Sequence, residues 1–148
     1  METRVQSHVA YRLLYHIVWI PKWRNHLLIK DLQEYFEKVL RHVLAERYPD
    51  VLLEEISVLT DHVHVVMVIP PKYAISAVIG AVKSDSSRGL RKRFDYLRRG
   101  RKELWSTGYF VSSVGLDEER IRHYVQYQEQ QDSGQLKAVW EKEATGKA

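Results

Sequence analysis

The sequence predicts an α+β fold of ferredoxin-like or RNA-recognition-motif-like design: a four-stranded antiparallel sheet with helices on one face, followed by one further C-terminal helix. Three observations predict it. Apolar residues recur first at strand spacing and then at helical spacing, in the order strand, helix, strand, strand, helix, strand, helix. Only Thr60-Asp61 separates the second and third strands, which makes them a hairpin. And 148 residues, 45% of them hydrophobic, suffice for one core but leave little for a second domain.

Taken in order, Val9 to Ile20 is aromatic and β-branched on both parities, as expected of a central strand buried on two sides, and Pro21 ends it. Asp31 with Glu34 three residues on reads as a capping box. Leu32, Phe36, Val39, Leu40, Val43 and Leu44 then follow at helical spacing, so a helix is expected from Asp31 to Tyr48. Strands are expected over Val51 to Leu59 and His62 to Ile69, closed by Pro70-Pro71. Ile75, Val78, Ile79 and Val82 begin a second helix that runs into a basic segment near Arg93. Leu104 to Val114 reads as the fourth strand. Asp117 caps a last helix whose first turn carries Glu118 and Glu119, where the helix dipole favours negative charge. The domain is expected to span about residues 9 to 131, with a polar tail from 132 to 148 in which Leu136, Val139 and Trp140 are the apolar exceptions.

Composition removes several function classes. Without cysteine, the chain has no disulfides, thiolate zinc sites, iron-sulfur clusters or cysteine nucleophile. The polar start and the short longest apolar run, Val65 to Ile69, predict no signal peptide and no membrane span, hence a soluble cytoplasmic protein. The net charge of +4 is unevenly spread. Lys83 to Lys102 holds nine cations, most of them arginine, against Asp85 and Asp95, so the remainder of the chain is slightly acidic. Such a segment suits a phosphate backbone, whose oxygens arginine matches in bidentate fashion. Lys83, Arg88, Arg91, Lys92, Arg93, Arg98 and Arg99 are the DNA-binding candidates. A solvated helix that only aids solubility is the plainer alternative.

His62-Val63-His64 opens an otherwise apolar strand. Side chains two apart on a strand share a face, roughly 6.5 to 7 Å apart at the backbone, so two imidazoles can converge on one metal ion. An ion acting on phosphate prefers an oxygen ligand beside imidazole. The last helix offers Tyr124 with Gln128, four apart and on one face; Tyr127 with Gln131 has the same spacing, and spacing alone does not choose between the pairs. A tyrosine hydroxyl is a weak nucleophile at neutral pH, and a metal that polarises the phosphate eases its attack.

Three separated segments together resemble a family. Tyr15-His16-Ile17-Val18-Trp19-Ile20-Pro21-Lys22, Thr60-Asp61-His62-Val63-His64-Val65-Val66-Met67, and Gly108 to Gly115 with Ile121-Arg122-His123-Tyr124-Val125-Gln126-Tyr127-Gln128 are similar to the single-tyrosine HUH (His-hydrophobe-His) transposases of the insertion sequence 200/605 type. Lys83-Ser84-Asp85-Ser86-Ser87-Arg88 also resembles that family's Lys-Gly-x-Ser-Ser-Arg segment, with Ser84 where glycine is common. The resemblance implies that His62, His64 and Gln128 bind Mg²⁺ or Mn²⁺ and that Tyr124 is the nucleophile. It further implies a homodimer in which the tyrosine helix can complete the partner's site, acting on single-stranded DNA near hairpins at element ends. The expected activity is cleavage and rejoining through a 5′-phosphotyrosine link. Two alternatives stand beside it: a replication-initiator-type HUH nickase, disfavoured by the short chain, and a non-catalytic single-strand-binding module stacking bases on Tyr11, Tyr15 and Trp19.

Overall fold

In a computed structural model, the described residues are 3–6, 9–11, 13–22, 26–99 and 103–134. The last expected features of the tail, Leu136, Val139 and Trp140, lie outside them, as do Arg101 and Lys102.

The N-terminal apolar run divides into two strands. β2 (Val9–Tyr11) pairs with β1 (Arg4–Gln6) in a ladder of its own, and only β3 (Leu14–Trp19) enters the main sheet. β3 is followed by α1 (Lys30–Arg47), β4 (Leu52–Val58), β5 (Val63–Val68), α2 (Ile75–Arg93), the short α3 (Asp95–Arg98), β6 (Phe110–Ser112) and α4 (Glu118–Ser133). The sheet order is β4-β5-β3-β6, antiparallel throughout, which is the split β-α-β arrangement. β4 and β5 form the expected hairpin, its turn closed by Leu59 N–H donating to the His62 carbonyl at 2.9 Å.

Strand alternation assigns the two faces. Ile17 and Trp19 of β3 and Val63, Val65 and Met67 of β5 point to one side, where they form the main core with Leu32, Phe36 and Leu40 of α1 and Val78, Ile79, Val82 and Leu90 of α2. Burying these side chains, each worth roughly 1.5 to 3 kcal/mol, is what holds α1 and α2 to the sheet. The opposite face carries a smaller cluster in which Val18 and Ile20 meet Tyr124 and Val125 of α4. α4 therefore covers the face that α1 and α2 leave open.

Two expectations are corrected. Asp31 does not cap α1: the helix starts at Lys30 with Ile29 at the cap position, and no side chain bonds that end. Asp31 instead lies in the first turn, where its negative charge is favoured by the positive end of the helix dipole. The fourth strand is much shorter than Leu104 to Val114. Leu104 and Trp105 are spent on the core, Trp105 bridging Pro21 and stacking edge-on against Trp19 and Phe36, and Gly108 at φ +93° turns the chain before β6 begins. Asp117 does cap α4, its carboxylate accepting from Arg120 N–H at 2.8 Å. α4 runs on to Ser133 and stops at Gly134, whose φ of 82° is left-handed.

Candidate active site

His64 lies in β5 opposite Val18 of the central strand, on the face that α4 covers; His62 immediately precedes the strand. The His62 ring is oriented by a 2.9 Å contact between its Nδ1 and Asp61 Oδ1, which leaves Nε2 as the nitrogen for a ligand. Burial, followed by the neighbouring His16 and His62, lowers the pKa of His64, so its ring is neutral, the form that binds metal. Its Nε2 is buried without a hydrogen-bond partner. These are the features of two imidazoles suited to a divalent ion. The histidines line a cavity of about 580 Å³ together with Ser57, Asp61, Arg122 and Gln126.

Tyr124 and Gln128 lie elsewhere. They line a second cavity of about 870 Å³ with Tyr109, Phe110, His123 and Tyr127, on the β6 side of α4. The Tyr124 ring packs on Phe110, and its hydroxyl is buried without a partner, so burial raises its pKa, with Asp132 and Tyr127 adding to the shift. Gln128 is 6% exposed. Its Nε2 donates to Ser106 Oγ at 2.7 Å and to the Thr107 carbonyl at 3.1 Å, and it also faces Asp132 Oδ1 at 3.4 Å. The rival pair separates differently: Tyr127 shares the Tyr124 cavity, but Gln131 is not among its lining residues.

Within one chain, then, the imidazole pair and the tyrosine–glutamine pair are on opposite flanks of α4. Among the described residues no group of three His, Cys, Asp or Glu is arranged to hold a metal, although Ser57, Asp61, Glu118 and Gln126 bring side-chain oxygens to the wall of the histidines' cavity. Sequence reasoning left His16 without a role. The structure places its ring 5.6 Å from that of His64, with Nδ1 buried and unpartnered. The signal was available in strand parity, since His16, Val18 and Ile20 share a face.

Several cations of the basic segment have partners within the chain, and Arg88, Arg93 and Arg98 among them remain exposed. Arg88 is paired with Asp85 and donates to Ser84 Oγ at 3.0 Å, and Arg91 donates to Ser87 Oγ at 3.3 Å. Arg98 pairs with Asp95, and Arg93 lies over the rings of Tyr35 and Phe94. Lys92, Arg93, Arg98 and Arg99 are exposed. Lys83 is different: its ammonium donates to the Ser106 carbonyl at 2.7 Å and the Gly108 carbonyl at 2.8 Å. Of the aromatic platform invoked for a binding module, Trp19 is fully buried and Tyr15 packs against the main core, while the side chain of Tyr11 lies outside the description.

Residues 9–128 match the family model described as IS200-like transposase. The chain belongs to that family. It is 30% identical over 128 residues to the transposase for insertion sequence element IS200 of Salmonella typhimurium, covering 85% of this chain and 83% of the relative. To the ISDra2 transposase TnpA of Deinococcus radiodurans it is 27% identical over 122 residues, covering 80% and 86%. A crystal structure of a D. radiodurans chain, described as a candidate transposase, superposes with a TM-score of 0.73 at 25% identity over 86% of this chain and 98% of that one. A REP-associated tyrosine transposase bound to a REP hairpin shares the fold, with a TM-score of 0.53 at 16% identity over 90% and 77%. The transposase is thus an enzyme of the family its three motif segments suggested, and no helix among its described residues is long and apolar enough to cross a membrane.

Proposed function

We propose that this transposase cleaves and rejoins single-stranded DNA at element ends through a 5′-phosphotyrosine intermediate on Tyr124. The observation that carries the reading is the pairing of two imidazoles at the start of β5, that of His64 held neutral by burial, with a helix that bears Tyr124 and Gln128 on one face, in a chain of this family. The Tyr124 oxygen attacks the scissile phosphorus, the bond from phosphorus to the 3′ oxygen breaks, and the departing strand leaves as a 3′-hydroxyl after taking a proton. The phenol proton passes to solvent or a nearby base. A 3′-hydroxyl then attacks the phosphotyrosine and restores the phenol, so the phosphoester is exchanged and no water is consumed. Mg²⁺ or Mn²⁺, held by His62, His64 and the Gln128 carbonyl oxygen, would polarise the phosphate. Arg88, Arg91, Lys92, Arg93, Arg98 and Arg99 would hold DNA backbone, and a hairpin is the favoured partner because the REP-associated neighbour was solved with one.

The reading includes a homodimer, with the Tyr124 of one chain serving the histidines of the other. Three observations support it: the two pairs occupy separate cavities, the Tyr124 hydroxyl is covered within its own chain, and β6 is an edge strand with Phe110, Val111 and Val114 exposed beside it. The test mixes the protein with labelled single strands from element ends, with Mn²⁺ or chelator, and looks for a denaturation-resistant adduct. The reading predicts an ion-dependent adduct in wild type and Tyr127→Phe and none in Tyr124→Phe. An adduct that survives Tyr124→Phe sinks the assignment.

A further inference from the structure

The segment Lys83 to Arg88 resembles a motif whose cations were read from the sequence as phosphate contacts. Its geometry divides it by face. Arg88 bonds both Ser84 and Asp85, and Asp85 also accepts from Arg47 of α1 at 3.0 Å. Lys83 and Ser86, one helical turn apart, point the other way, toward residues 105–108. Ser86 Oγ accepts from Trp105 Nε1 at 3.1 Å, while the Lys83 ammonium donates to the Ser106 and Gly108 carbonyls. The same short loop grips α4 from its other side. Ser106 Oγ donates to the Asp132 carboxylate at 2.7 Å and accepts from the Gln128 amide, and the Thr107 carbonyl accepts from that amide as well.

The hydrogen-bond roles along this chain are fixed by chemistry. A carboxylate only accepts, so the Ser106 hydroxyl proton goes to Asp132 and its lone pair is left for a donor. The Thr107 carbonyl likewise only accepts, so the end of Gln128 facing the loop is its NH₂ group. The amide oxygen is then the end that these bonds leave uncommitted. Without Lys83, two carbonyls that hold the loop's shape lose their donor.

We propose that Lys83 is a positioning residue that fixes the 106–108 loop and through it the Gln128 end of α4, and that it is not a phosphate contact. Its functional consequence rests on the reading of Tyr124 and Gln128 given above, whereas the loop contact itself does not. Burial brings the Lys83 pKa down to about 8, as expected of an amine turned inward rather than offered to solvent.

The test compares wild type, Lys83→Met and Lys83→Arg in three measurements on the full chain. These are hairpin affinity as a function of salt, hydrogen exchange of 105–112 and 124–132, and the single-turnover rate of adduct formation at saturating strand. The proposal predicts unchanged affinity and salt slope in both variants, faster exchange in both segments, and a rate at least tenfold lower. It also predicts no further loss when Lys83→Met is added to Gln128→Ala, because the effect runs through that amide. Lys83→Arg keeps a cation for phosphate but sets a planar fork where two carbonyls need a compact ammonium, so it too is slow. A salt slope reduced by about 0.7 to 0.9 with Lys83→Met and a normal Lys83→Arg would mark a phosphate contact and overturn the proposal. So would unchanged exchange. If wild type forms no adduct, the transposition chemistry assigned to Tyr124 fails, and exchange with salt slope still judges Lys83.

Discussion

Tyr124 spends its hydroxyl in a place where nothing bonds it. A buried unpaired hydroxyl carries a desolvation penalty of about 1 to 3 kcal/mol, so removing it should not destabilise the fold. Tyr124→Phe is therefore expected to melt at or above the wild-type temperature while losing the adduct, and thermal unfolding of the two proteins checks this. A lower melting temperature would mean that the phenol has a structural partner. His64 makes a pH prediction. Its pKa is lowered in the fold by burial and by His16 and His62, so folding favours the neutral ring. Its contribution is present above the unfolded value of 6.5 and is lost as pH falls toward the folded value. Stability measured by denaturant between pH 7 and 5 should fall more steeply in wild type than in His64→Gln. Lys83 gives a second window. With a folded pKa of about 8 against 10.5 unfolded, unfolding takes up a proton between these values. Relative to Lys83→Met, wild-type stability should rise with pH across that range.

At the scale of elements, what was legible followed from local chemistry. The Asp117 cap was readable because an aspartate followed by two glutamates satisfies the helix end through its own side chain, and Asp117→Ala is expected to cost about 1 kcal/mol in chemical denaturation. The β4–β5 hairpin was readable because its turn is local. Asp31 with Glu34 carried a capping-box signature, but the chain entering α1 bonds through Gln33 Nε2 to the Leu28 carbonyl at 2.6 Å, and the helix starts at Lys30 without a side-chain cap. The length of β6 was not legible either. Leu104, Trp105 and Tyr109 have strand propensity, but tertiary packing against Trp19 and Phe36 and the left-handed turn at Gly108 decide their conformation, and a single sequence does not display such contacts.

For the whole molecule, the fold class and the three motif segments were readable because the periodicities and short motifs are contiguous. The division of the site was not, because it depends on which way α4 turns its faces over the sheet. Spacing put Tyr124 and Gln128 together on one face, and it had no means of showing that Arg122, Val125 and Gln126 would face the histidines instead. The cationic segment was likewise legible in sign and not in use, since Lys83 turns inward while Lys92 and its neighbours remain exposed. Changing Arg91, Lys92 and Arg93 together to alanine should weaken hairpin binding and flatten its salt dependence; an unaltered slope would remove these residues from the DNA interface.

The central claim is that one chain's tyrosine serves another chain's histidines. Its most direct test mixes two inactive proteins of different size, Tyr124→Phe and His62→Ala/His64→Ala, allows subunits to exchange, and measures Mn²⁺-dependent adduct formation on a labelled strand. The account predicts that the mixture regains the activity each lacks alone, with the DNA linked only to the chain bearing the histidine substitutions. No recovery after demonstrated exchange of subunits would contradict it and would require α4 to deliver Tyr124 to the histidines of its own chain.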